Sequence, residues 1–183
     1  MNKALVPFAD GLEEIEAVTI VDVLRRGGIN VTTASIGPSR IVKGAHGILI
    51  EADELLSDVV SNEYDVIVLP GGGDGTDNLK KCDILIERIV RQRQEGRLLA
   101  AICAAPTVFS TAGVLHPDHH ATCYPTCQLQ LDCQWVNQPV VQHDGFITGK
   151  APGSASLFSL VVIKELEGDR AAIRVAREMD IEF

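Results

Sequence analysis

The chain lacks an excess of basic residues: 16 Lys and Arg stand against 25 Asp and Glu, for a formal net charge of −9. Broad binding to nucleic acid or to an anionic membrane surface needs a basic footprint, so we expect neither. No apolar run approaches the roughly 18 residues of a membrane span. The N-terminus runs straight into a short apolar stretch, without the layout of a signal peptide. We therefore predict a cytoplasmic protein.

The chain also lacks internal repeats, low-complexity segments and linkers. Its 183 residues are enough for one sizeable core, and we predict a single domain over residues 1–183. Five cysteines, an odd number, fit reduced thiols better than a disulfide framework.

The stretch Leu98 to Pro106 (LLAAICAAP) is the most informative part of the sequence, because it predicts a strand, a sharp turn and the start of a helix in succession. Its apolar start is typical of a buried parallel strand, and Pro106 suits the first turn of a helix. Cys103 then lies at a strand-to-helix corner, the geometry of a nucleophile elbow with cysteine in place of serine. A helix N-terminus lowers a thiol pKa, which favours the reactive thiolate. A buried structural cysteine is the alternative that this stretch alone leaves open.

Apolar runs alternate with amphipathic ones along the whole chain, which predicts a doubly wound, mostly parallel α/β sandwich. In such a sheet the site lies beyond the carboxyl ends of the strands, which makes Gly71, Gly72, Cys103 and the loop before Glu16 candidates for one pocket. The predicted strands are 4–8, 30–36, 64–69 and 98–102, with a hairpin at 140–148 and a loop or irregular hairpin over 37–47 leading into 48–50. The predicted helices are 13–26, a short one within 51–60, 84–95, 107–112, 155–166 and 169–179.

Glu16 lies on the apolar side of the first predicted helix, in line with Ile20 and Val23. A carboxylate that faces the core needs a partner or a proton. The alternative is a glutamate at the edge of the apolar stripe that reaches out to water. Glu13 and Glu14 are expected to reach solvent more easily.

Pro70 is followed by three glycines directly after a predicted strand. Glycine allows a positive φ and a close backbone approach, so this turn could cradle a phosphate or supply N–H groups to an oxyanion. A following Lys-Ser/Thr pair, which a phosphate loop would carry, is missing, so the phosphate signal is weak.

Three motifs together resemble the ThiJ/PfpI superfamily, and within it the branch of bacterial YajL and the human Parkinsonism-associated protein. They are EEIEAV from Glu13, DVIVLPGG from Asp65 and AAICAAP from Ala100, and PGS at Pro152 is also similar. The resemblance implies a flavodoxin-like fold, a homodimer and no cofactor. It also implies a nucleophilic Cys103 paired with a protonated Glu16. The residues that it assigns around this pair are the N–H groups of Gly72 and Ala104 as an oxyanion site, with Gly71, Cys123, Tyr124 and Pro152 at the pocket rim.

The resemblance implies a glyoxalase or deglycase that acts on dicarbonyls or glycated adducts and protects against oxidative stress. One alternative is a redox-sensing chaperone whose cysteine is oxidised without turnover. A second is an amidotransferase- or peptidase-like hydrolase. Tyr124 stands where some members carry histidine, and Ala104 stands where protease-like members carry one. The missing base beside Cys103 argues against peptidase activity.

A second group of metal-ligand types lies between residues 116 and 133, but its spacing does not match paired short-spaced ligands, and we predict no metal there. Cys123 could instead resolve an oxidised Cys103. His143, beside the Asp-Gly turn of the hairpin, is expected to be a solvated turn residue. The members of the group are His116, His119, His120, Cys123, Cys127 and Cys133.

Overall fold

A computed structural model describes residues 1–183. The strands are β1 Lys3–Phe8, β2 Asn30–Ser35, β3 Ile41–Lys43, β4 Leu49–Glu51, β5 Glu54–Leu55, β6 Val66–Leu69, β7 Leu98–Ile102, β8 His120–Ala121, β9 Gln134–Trp135, β10 Val140–His143 and β11 Phe146–Gly149. The helices are α1 Glu14–Arg26, α2 Leu56–Val59, α3 Gly73–Lys80, α4 Asp83–Gln94, α5 Pro106–Thr111, α6 Ala155–Glu167 and α7 Asp169–Glu178, with 3-10 turns at Pro125–Gln130 and Pro152–Ser154.

Seven strands form one sheet in the order β10-β11-β7-β6-β1-β2-β5. All neighbours pair in parallel except β10, which returns antiparallel to β11 across the Asp-Gly turn. The mostly parallel, helix-covered sheet confirms the predicted fold class. The carboxyl ends of β1, β6 and β7 are adjacent at one edge of the sheet, which brings the loops after them together.

The core divides into two apolar layers because side chains alternate across each strand. Along β7, Leu98, Ala100 and Ile102 pack with α1, α6 and α7, whereas Leu99 and Ala101 pack with the helices α2 to α5. A sheet that is covered on both faces needs continuous apolar strands, as β6 and β7 have.

Helix α3 is an element that the sequence pattern did not predict. It contains Gly73 and Gly75, which disfavour helix formation, but tertiary contacts override that preference. The Gly75 N–H donates to Gly11 O at 3.1 Å. A Cβ at Gly75 would lie 2.7 Å from Leu12 N, so only glycine lets α3 pack this closely on the loop before α1. The short strand β5 was also missed, whereas β3 and β4 form the hairpin that was expected.

None of the helices combines the length and the apolar character that crossing a membrane would require.

Candidate active site

Cys103 occupies the turn between β7 and α5, with a φ of 63°. A non-glycine residue in the left-handed region costs about 1–2 kcal/mol, so the surroundings must hold it there. Two backbone hydrogen bonds do so: the Cys103 N–H donates to Gly149 O at 2.9 Å, and the Tyr124 N–H donates to Cys103 O at 2.8 Å. The side chain therefore stands on a strained corner above the end of a central strand, as the sequence predicts.

Glu16, in the first turn of α1, is completely buried. Its Oε2 accepts a hydrogen bond from the Gly71 N–H at 2.7 Å. Its Oε1 is buried and has no nitrogen or oxygen partner. The carboxyl and the Cys103 side chain lie side by side against Gly71, so the predicted pair of side chains is brought together.

The glycines after β6 allow the two side chains to meet. A Cβ at Gly71 would lie 2.7 Å from both Cys103 Cβ and Glu16 Oε2. Gly72 has a φ of 97°. The backbone N–H groups of Gly72 and Ala104 both face the Cys103 sulfur and favour its anion. If the sulfur formed a bond to a substrate carbon, a negatively charged oxygen on that carbon would be close enough to accept hydrogen bonds from the same two N–H groups.

Burial dominates the electrostatics of the pair. It raises the pKa of Glu16 to about 7, against the hydrogen bonds from the Gly71 N–H and Cys103. Burial and then the negative charge of Glu16 raise the pKa of Cys103 to about 12. Two anions side by side inside the protein repel each other, so at least one of the two groups keeps its proton near neutral pH.

The prediction that the pKa of the Cys103 thiol is lowered is therefore wrong for the protein without a ligand as long as Glu16 is ionised. Helix α5 has only six residues, and the two N–H groups do not outweigh burial and the adjacent carboxylate. When Glu16 takes the proton, the main negative charge facing the sulfur disappears and a donor replaces it. Whether Cys103 is a thiolate thus depends on whether the proton lies on the Glu16 carboxyl or on the sulfur.

The family model described as "DJ-1/PfpI family" matches residues 2–165. The chain belongs to this family. Over 96% of the chain, it is 42% identical to Protein DJ-1 homolog B of Arabidopsis thaliana, a longer protein of which it spans only 40%. It is 36% identical to the Caenorhabditis elegans protein named "Glutathione-independent glyoxalase DJR-1.2", with 90% of this chain and 87% of that protein covered.

Among solved structures, the chain is similar to Toxoplasma gondii DJ-1 in a form described as oxidized. The TM-score is 0.96 at 34% identity, and 100% of both chains is covered. The DJ-1/PfpI fold thus extends through the whole chain, including the elbow and α1.

The predicted rim residues of this DJ-1/PfpI chain differ in position. Tyr124 is 43% exposed and its N–H donates to Cys103 O, and its rim position stays a prediction. Cys123 is fully buried, and its sulfur donates to Tyr124 O at 3.3 Å, so its placement on the rim is wrong. Pro152 opens a 3-10 turn three residues after Gly149, and its rim position stays a prediction.

Cys123 is also poorly placed to resolve an oxidised Cys103. It packs in the layer of α4 and α5, whereas Cys103 packs in the layer of α1 and α6. Burial, with Cys127 and Cys133 nearby, raises the pKa of Cys123 to about 12. The packing therefore does not support the resolving-thiol hypothesis.

The histidines of the predicted second group gather at the opposite end of the sheet from Cys103. His119 Nε2 lies 3.0 Å from Asp144 Oδ2, at the hairpin turn whose Gly145 O accepts from the Leu99 N–H at the start of β7. The His120 and His143 rings are 4.7 Å apart between centroids. His143 is thus half-buried against His120, and its expected solvated position is wrong.

Glu14 is a buried residue that the sequence placed in solvent. The β3–β4 hairpin folds over the start of α1 and supplies partners: the His46 N–H and ring Nδ1 lie 2.7 and 2.8 Å from the Glu14 oxygens. Burial alone would raise the pKa of Glu14, but hydrogen bonds from His46 and from the Ile48 N–H outweigh it and lower the pKa to about 2.

Glu13, Glu14 and His46 also offer three ligand atoms within 4.8 Å of one another, which is the spacing of a possible metal site. The Glu14 oxygens already accept hydrogen bonds from His46, so an ion would have to displace them.

Proposed function

We propose that the protein is a cysteine-dependent glyoxalase or deglycase that acts on small dicarbonyls or their adducts and limits oxidative and carbonyl stress. The contact between a buried, proton-holding Glu16 and the strained Cys103 carries the proposal. The C. elegans relative whose name is a glutathione-independent glyoxalase supports it.

The chemistry follows from the atoms at the site. Ionised Glu16 takes the thiol proton as the Cys103 sulfur adds to the aldehyde carbon of methylglyoxal, and passes it to the new oxyanion, which faces the N–H groups of Gly72 and Ala104. Glu16 then moves a proton from that carbon to the neighbouring one, through an enediol, which leaves a thioester of lactate. Water cleaves the thioester, releasing lactate and the thiol. The protein thiol thereby takes the part that free glutathione would otherwise play.

A peptidase or amidotransferase is less well supported. Those enzymes use a histidine beside the cysteine. Here Ala104 follows Cys103, four histidines lie at the other end of the sheet, and His46 is bonded to Glu14.

The test is lactate formation from methylglyoxal by the purified protein. Cys103→Ser should abolish it, and Glu16→Gln should lower kcat by about 10² to 10⁴, because Gln keeps the shape but cannot transfer a proton. Cys82→Ser, a half-buried thiol on another surface, is the matched control and should retain full activity. Equal lactate formation by Cys103→Ser and the wild type would refute the proposal.

Redox sensing by Cys103 is a second candidate, favoured by the similar Toxoplasma structure described as oxidized. Mild peroxide followed by peptide mass spectrometry separates the two. A sensor oxidises first at Cys103 in a protein that shows no steady-state turnover.

We also propose that the protein is a homodimer. Apolar side chains are exposed on α1 and on the β3–β4 hairpin, next to each other in the fold: Ile15, Val18, Ile41, Ile48 and Leu49. Exposed apolar side chains on two neighbouring elements are typical of an interface. A second copy of the chain would cover it.

A further inference from the structure

A cleft of about 160 Å³ opens beside Ala104, the residue that follows the nucleophile. One wall is a face of α3 that carries Thr76, Asp77 and Lys80. The facing wall comes from the start of α5 and from the 3-10 turn that contains Gln130. We call this space the α3 cleft. At roughly 30 Å³ per water molecule it holds about five waters, which is room for a short chain of atoms and not for a protein segment.

Lys80 brings an incompletely balanced positive charge to the α3 cleft. Its side chain is only 20% exposed, and its Nζ donates to Gln130 Oε1, a neutral acceptor, at 3.0 Å. The one carboxylate in range, Asp77 Oδ1, is 3.8 Å away on a side chain that is 65% exposed. An ammonium group whose short hydrogen bond goes to a neutral amide, with no carboxylate closer than 3.8 Å, is positioned to accept an anion from a ligand.

Thr76 supplies a second unused polar group in the same wall. The residue is 2% exposed, and its Oγ1 is buried without any hydrogen-bond partner. A buried hydroxyl normally has a partner, because an unsatisfied one has lost its hydrogen bonds to water without replacing them. Rotation about χ1 would turn this hydroxyl into the cleft, which Thr76 lines, and a ligand there would complete its hydrogen bonding.

We propose that the α3 cleft binds the end of the substrate that lies away from the reacting carbonyl, and that Lys80 selects short dicarbonyls ending in an anionic group, a carboxylate or a phosphate. The proposal rests on the proposed glyoxalase activity and names its substrate class. Helix α3 rises about 10 Å from Gly73 to Lys80. Long helical side chains lean back toward the N-terminus, as the Lys80–Asp77 contact shows, so the ammonium is directed back along α3 toward the end that begins at Gly73.

The first experiment compares two substrates of equal length, 4,5-dioxopentanoate and the uncharged 2-oxohexanal. We expect wild-type kcat/KM to favour the carboxylate, and Lys80→Met to lower the ratio of the two values about tenfold. The control is Lys81→Met, an exposed lysine next to it in sequence that lies outside the cleft, which should keep the wild-type ratio. An unchanged ratio in Lys80→Met would overturn the proposal. A phosphate-bearing dicarbonyl run alongside shows which anion is preferred.

A second variant separates binding from structure. Thr76→Val keeps the side-chain shape and removes a hydroxyl that bonds to no protein atom. We expect it to raise KM for 4,5-dioxopentanoate at least threefold while the thermal midpoint stays the same or rises. A lower midpoint with unchanged KM would mean that the hydroxyl serves only the fold.

A binding measurement keeps the cleft testable if the protein turns over none of these substrates. The probe is 4-oxopentanoate, which lacks the aldehyde, titrated by NMR into Cys103→Ser with and without Lys80→Met. Weaker binding with Lys80→Met but no turnover in the wild type would support the cleft and refute the glyoxalase. Equal affinity for 4-oxopentanoate with and without Lys80→Met would refute the proposed role of the cleft, whether or not the protein is active on dicarbonyls.

Discussion

Glu16→Gln should change how the stability of the protein depends on pH. Glu16 is fully buried and its pKa is raised from 4.5 to about 7, first by burial. A carboxyl whose pKa is higher in the folded state contributes stability that is complete below the unfolded pKa and is lost as pH rises through the folded one. The window for Glu16 therefore runs from about pH 4.5 to pH 7.

The size of the effect follows from the size of the shift. One pKa unit corresponds to about 1.4 kcal/mol, so the wild type should lose about 3 kcal/mol across this window that Glu16→Gln does not lose. The thiol of Cys103, with its pKa raised to about 12, stays protonated through the window while Glu16 ionises. The difference between the two proteins thus counts the one proton that leaves Glu16.

The measurement is urea unfolding of both proteins at intervals from pH 4.5 to pH 8. Glu14→Gln is the matched control, because the pKa of Glu14 is lowered to about 2 and its hydrogen-bonded carboxylate is ionised throughout. That variant should lose a constant amount of stability below the ordinary His46 pKa of 6.5, giving a curve parallel to the wild type there; above it the loss shrinks, because His46, whose pKa Glu14 raises, gives up its proton. If the Glu16→Gln curve were also parallel, Glu16 would not hold a proton and the proposed proton transfer would lose its basis.

Three further substitutions test other parts of the site. Gly71→Ala should abolish lactate formation and lower the thermal midpoint, because its Cβ would lie 2.7 Å from both Cys103 Cβ and Glu16 Oε2; near-wild-type kinetics would contradict this. Cys103→Gly should be about 1 kcal/mol more stable in urea than Cys103→Ala, since only glycine adopts a φ of 63° without strain, and the reverse order would argue against a strained elbow. Val18→Asp should convert a dimer into monomers in light scattering, because it puts a charge on the exposed apolar surface; a wild type that is already monomeric would refute the dimer.

The sequence by itself determined the layout of the sheet and the place of the nucleophile. Uninterrupted apolar runs such as Leu98 to Ile102 predict strands that are buried on both faces, and Pro106 marks the helix start that turns Cys103 into a corner residue. The position of Glu16 on the apolar side of α1 could be predicted for the same reason, because helical periodicity is a local property. These features depend only on neighbours along the chain.

Only the tertiary structure decided the environment of those residues. Glu14 lies in the first turn of α1 and was expected to reach solvent, yet the β3–β4 hairpin buries it under His46, more than thirty residues away. Helix α3 forms despite its glycines because Gly75 must pack on Leu12. The ionisation of Cys103 was mispredicted from its helix for the same reason. A pKa responds to burial and to charges from every direction in space, and here Glu16, brought in from another element, outweighs the local helix.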